Sequence, residues 1–134
     1  MQFAQESDPV RKAKALPRLG EAQFEQVRKE IAAQSYDQAL HIVEDYRDEV
    51  RGAVAALKST GVNAERRPSG FKQLQIHLRK SLRELDQTLL ALPDDQRPPF
   101  ESIRQELLST EKELLDLLFP RKPGKGRSPE KPKG

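Results

Sequence analysis

The sequence predicts an all-α protein, a small antiparallel helical bundle of three long helices with one or two short helices ahead of them. The clearest observation is the stretch from Phe71 to Leu92. There Phe71, Leu74, Leu78, Leu82, Leu85, Leu89 and Leu92 recur every three or four positions, which is one face of an α-helix. The second is composition: 34% charged and 35% hydrophobic residues suit a helical body with a large solvated surface. The third is charge order. Net charge runs +2 over residues 1–20, −3 over 21–60, +3 over 61–92, −4 over 93–119 and +5 over 120–134, so a basic central helix lies between acidic ones.

The 134 residues suffice for one domain, expected over residues 8–119, with a disordered N-terminus over 1–7 and a disordered tail over 120–134. Asp8-Pro9 is a helix-start signal, and Pro17 is expected to stop a first short helix near Leu16. Gly20-Glu21 then opens a second helix through about Ala33, with Phe24, Val27 and Ile31 inward. Ser35 is placed to cap a helix from about Tyr36 to Thr60, ended by Gly61. Its inward face is Tyr36, Ala39, Leu40, Val43, Tyr46, Val50, Ala53 and Leu57, with Ile42 at the edge. Ser69 is the expected cap of the central helix, and Pro93-Asp94-Asp95 ends it. A last helix is expected to start at Pro99 and stop at Pro120, carrying Phe100, Ile103, Leu107, Leu114, Leu117 and Leu118 inward. The tail, with Arg121, Lys122, Lys125, Arg127, Lys131 and Lys133 against one acid, has no apolar residue with which to fold.

Short connections favour antiparallel neighbours. An acidic–basic–acidic order would then set opposite charges along both seams of the central helix.

Tyr36-Asp37-Gln38-Ala39-Leu40, following a short helix and a tight turn, resembles the hairpin of tetratricopeptide repeats, in which a similar Tyr-x-x-Ala-Leu begins the second helix of each unit. The resemblance spans about residues 21–50. The closing Pro of that family is missing here and no second copy is visible. The resemblance implies a helical hairpin and protein binding.

No spacing of residues points to catalysis. There is no cysteine, no G-x-S-x-G and no Gly-rich phosphate loop, so neither catalytic residues nor a cofactor is assigned. His41, Glu44, Asp45 and Asp48 share one helix face, but without a second set on a facing helix they read as a solvated acidic face rather than a metal site. His77 reads as a surface or boundary residue.

Two sets of residues are candidates for more than packing. Lys72, Ile76, Arg79, Arg83 and Leu90 gather on the outward side of the central helix, a mix of cations and apolar groups that suits an acidic partner helix or a nucleic-acid backbone. Arg47 and Glu111 interrupt hydrophobic stripes, and with Ser81 they define an expected interior polar layer in which Arg47 and Glu111 pair across the bundle.

The reading that follows is a non-enzymatic interaction or adaptor module, with weak polyanion binding (nucleic acid or an anionic membrane surface) through the tail as the alternative. No apolar run approaches the length of a transmembrane segment. As written the chain reads as cytoplasmic. Phe3-Ala4-Gln5 before a polar start is also what a removed signal peptide leaves, which would make the protein periplasmic or secreted. No oligomeric state follows from the pattern.

Overall fold

The computed structural model describes residues 9–61, 63, 64, 66 and 68–120. The expected N-terminal disorder and the basic tail, including Arg121, Lys122, Lys125, Arg127, Lys131 and Lys133, lie outside the described residues.

Four helices make up the bundle: α1 (Pro9–Ala32), α2 (Tyr36–Ser59), α3 (Ser69–Ala91) and α4 (Arg97–Leu118), with a 3-10 turn at Asp94–Gln96. The N-terminal region is one helix, not two. Pro17 lacks the N–H that would bond the carbonyl of Ala13, yet α1 continues through it and through Gly20. Ala13 and Leu16 are fully buried before the proline, and Phe24 and Val27 are buried after it. Tertiary packing on both sides thus outweighs a proline cost of about 3 kcal/mol.

Helix ends also differ from expectation in detail. Gln34 takes φ 61° and ends α1, while the Ser35 N–H bonds the carbonyl of Glu30 at 2.8 Å and the Gln34 N–H bonds that of Ile31 at 2.9 Å. This is the left-handed stop usually built with glycine. Ser35 precedes α2 as expected but makes no side-chain cap. Ser69 is the first residue of α3 and Pro68 holds the cap position. α4 begins at Arg97, two residues before Pro99, because the first turn of a helix needs no N–H from Pro98 or Pro99.

The two hairpins, α1–α2 and α3–α4, stand side by side. α1 packs on α2 and α3, and α4 packs on α3 and α2, whereas α2 and α3 face each other across the diagonal with little contact. Gln23 with Glu49 and Phe24 with Tyr46 show α1 and α2 to be antiparallel. Asp86 with Arg104 and Gln75 with Glu111 show the same for α3 and α4. Gly20 over His77 and Arg28 with Glu84 set α1 parallel to α3, while Arg51 with Glu106 and Lys58 with Glu113 set α2 parallel to α4. The expected α2–α3 charge seam is therefore absent, since α3's neighbours are α1 and α4. Opposite charges do meet on the α3–α4 seam, at Arg79–Glu111 (3.4 Å) and Asp86–Arg104 (2.7 Å).

The core runs the length of the bundle. Tyr46, Phe100, Leu16, Leu57, Leu74, Leu78, Leu85, Leu107 and Leu114 are its largest fully buried side chains.

Candidate functional site

α3 presents two different sides. Its leucine stripe faces the core, and a second line at helical spacing (His77, Ser81, Glu84, Thr88) lies under α1. The outward side carries Lys72, Ile76, Arg79, Arg83 and Leu90, which are all exposed and, at 100° per residue, fall on a single line. Ile76 is 45% exposed and Leu90 75%, large apolar groups left open amid cations. Arg79 reaches Glu111 at 3.4 Å. Lys72, Lys80 and Arg83 have no carboxylate within ion-pair distance among the described residues.

Where α1 meets α3 the packing is close at the base and open at the top. Tyr46 Oη and Ser81 Oγ share a hydrogen bond of 2.5 Å, and Ser81 Oγ lies 3.3 Å from His77 Nε2. The Tyr46 ring stands edge-on to Phe24 (centroids 5.1 Å) and to His77 (5.7 Å). All three polar residues are buried, so His77 is an interior residue rather than the surface or boundary one expected. Burial, with Lys80 nearby, lowers its pKa to about 4 and keeps the ring neutral at pH 7. A neutral ring accepting at Nε2 from Ser81 leaves Ser81 to accept from Tyr46, which satisfies the cluster. Burial likewise holds the Tyr46 phenol well above its ordinary pKa, although Ser81 opposes the shift. On the α1–α2 seam, burial raises the Glu49 carboxyl, and the bond from Gln23 only partly offsets this.

Above this cluster is a cleft of about 240 Å³ walled by Pro17, Gly20 and Phe24 of α1 and by Ile76, His77 and Lys80 of α3. Gly20 is what lets the helices approach, because a Cβ there would lie 2.7 Å from His77 Nε2 and 3.1 Å from Tyr46 Cε1. A second, more open depression follows along the same groove, between Ile31 and Ala32 of α1 and Thr88 and Ala91 of α3. The Arg28–Glu84 ion pair, at 2.8 Å, lies between them and borders both.

The expected polar layer has other members. Arg47 is half-buried on the α2–α4 seam, 3.1 Å from Asp48 and 3.6 Å from Glu106. Buried Glu111 accepts from Gln75 Nε2 at 2.9 Å. The two shorter α2–α4 pairs, Arg51–Glu106 and Lys58–Glu113, join residues 55 apart. Arg47 is thus level with residue 102, about 13 Å along the axis from Glu111. Ser81 is interior as expected, but joins Tyr46 and His77 instead. The lone mid-helix glycine on α1 was the available sequence signal for this contact.

Among the described residues no group of three or more His, Cys, Asp or Glu is placed to hold a metal ion, and no helix is long and apolar enough to cross a membrane. His41 and Glu44 approach only each other, at 3.7 Å. Comparison with protein-family models, curated proteins and solved structures finds no match to this chain.

Proposed function

We propose that the chain is a non-enzymatic protein-interaction module whose partner-facing surface is the outward side of α3. The observation that supports this reading is the line of exposed Lys72, Ile76, Arg79, Arg83 and Leu90. Exposed apolar groups framed by Lys72 and Arg83, which have no carboxylate within ion-pair distance among the described residues, favour an acidic, partly apolar surface over water. A tetratricopeptide-like kinship of residues 21–50 would agree with such a role, but the reading does not rest on it.

The test is capture from extracts of the native host, comparing the full chain with Arg79→Glu/Arg83→Glu, both at exposed positions. A protein retained by the wild-type chain and lost from the double variant, with helical circular dichroism unchanged, supports the module. Identical retention would sink it. A second reading, weak polyanion contact through the tail, draws on the +5 charge of residues 120–134. That binding would fall steeply with salt and disappear on truncation after Pro120.

A further inference from the structure

The groove between α1 and α3 repeats. Moving eleven residues along both helices carries one depression onto the next: Pro17, Gly20 and Glu21 become Arg28, Ile31 and Ala32, while Ile76, His77 and Lys80 become Gln87, Thr88 and Ala91. This works because α1 and α3 are parallel, so both walls advance together. Eleven residues are about three helical turns and about 16 Å, after which a side chain returns to within about 20° of its starting direction. The walls are not equivalent. Gly20 lets α1 close tightly on His77, so the first depression is the narrower at about 240 Å³, whereas the second, with Ile31 at the corresponding place, is more open and about 470 Å³.

From this period and the adjoining charge we infer that the α1–α3 groove seats an acidic amphipathic helix of a partner protein, anchored by apolar side chains at positions i and i+11. This rests on the module reading above and specifies its partner. One anchor enters the narrower, more enclosed depression beside Phe24 and Ile76, and the other rests in the wider one against Ala32 and Ala91. Between them the partner crosses the Arg28–Glu84 pair, which asks for polar residues there. The acidic flank faces α3, where Lys80 and Arg83 have no carboxylate within ion-pair distance among the described residues. The α1 wall mixes Glu21 and Glu25 with Arg18 and Arg28, all exposed, so its charges largely cancel and it attracts an acidic flank less than Lys80 and Arg83 do. Helix-in-groove recognition places its anchors one or a few turns apart on a single face. Here the repeat of the groove sets that spacing.

The probe is a fluorescein-labelled, end-capped 18-residue peptide with Leu at positions 4 and 15, Glu along one flank, and Ala and Gln elsewhere. A control peptide moves the second Leu to position 13, on the opposite side of the helix, and another replaces every Glu by Lys. Fluorescence anisotropy with the full chain is expected to favour the first peptide at least tenfold over the displaced-Leu control. Ile76→Arg and Ala91→Arg, at exposed positions in the first and second depressions, should each weaken it at least tenfold. Lys80→Glu/Arg83→Glu should reject the Glu peptide and accept the Lys peptide, a reversal that misfolding cannot produce. Equal affinity for the displaced-Leu peptide, or indifference to both arginine variants, would overturn the seating. So would a 20-nucleotide RNA that binds the same surface more tightly than the Glu peptide does. If Ile76→Arg and Ala91→Arg keep a native partner that Arg79→Glu/Arg83→Glu loses, the groove inference fails while the module stands. If neither set affects native capture, both fail.

Discussion

Gly20 of α1 lies directly over the imidazole of His77, so close that a single methyl group between them would sit 2.7 Å from Nε2. In a helix interior Ala ordinarily exceeds Gly by about 1 kcal/mol. At Gly20 the sign should reverse, because the ring is itself held by Ser81 and Tyr46 and has little room to move. Gly20→Ala is expected to cost about 1–3 kcal/mol in urea unfolding. Gly52→Ala, on α2 with nothing within 4 Å of the new Cβ, should stabilise by up to about 1 kcal/mol. Two equal gains would show that the α1–α3 approach is looser than described.

His77 makes stability depend on pH in a defined direction. Its pKa is about 4 folded, against 6.5 for an ordinary histidine. Above pH 6.5 neither state is protonated there and the residue contributes no slope. Between 6.5 and 4 the unfolded chain takes up the proton first, so stability falls as pH falls and levels off below 4. The loss attributable to His77 is at most about 3 kcal/mol. Glu49, raised by burial, acts oppositely, because its folded form binds the proton more readily as pH drops. Comparing urea midpoints of the wild type and His77→Gln from pH 7 to 4 isolates the histidine. Parallel curves would mean that the ring titrates freely.

Polar contacts inside the bundle can be apportioned by double-mutant cycles. Gln75 with Glu111, bonded at 2.9 Å, should show a coupling of about 0.5–3 kcal/mol. Arg47 with Glu111 should couple by less than about 0.5 kcal/mol, since they lie at different levels and hold different partners.

Gln34 holds a left-handed conformation at φ 61° that costs an L-residue about 1–2 kcal/mol. Gln34 is exposed, so Gln34→Gly should relieve that strain without loss of packing. Part of the gain is lost to the unfolded-state entropy of glycine, leaving about 1 kcal/mol and a higher Tm. An unchanged or lower Tm would count against the left-handed stop.

The leucine stripe of α3, the inward faces of α2 and α4 and the stop at Gly61 are all written in local periodicity, which is why they were legible. So was the exposure of Ile76 and Leu90, because α3's leucines already defined an opposite side. Pro17 misled because its local cost is real, while the compensation comes from distant contacts at Leu16 and Phe24. His77 misled for a related reason. It sits outside the leucine stripe, and only knowing that α1, not α2, is α3's neighbour shows that a second side is covered. Arg47 and Glu111 were each recognised as exceptions, but their partners depend on an axial register that no single helix records. The groove's eleven-residue repeat is likewise a property of two helices together.

The Tyr46–Ser81 bond also has an optical consequence. It spans the diagonal from one hairpin to the other, in a chain with two tyrosines and no tryptophan. Tyr36 is only partly buried at the start of α2, so the interior signal belongs to Tyr46. Separation of the hairpins with their helices retained would release that phenol to water. Alkaline ultraviolet titration of the phenolate therefore reports docking of the two halves, and far-ultraviolet dichroism reports their helicity. The bundle carries its own gauge for telling a loosened assembly from a melted one.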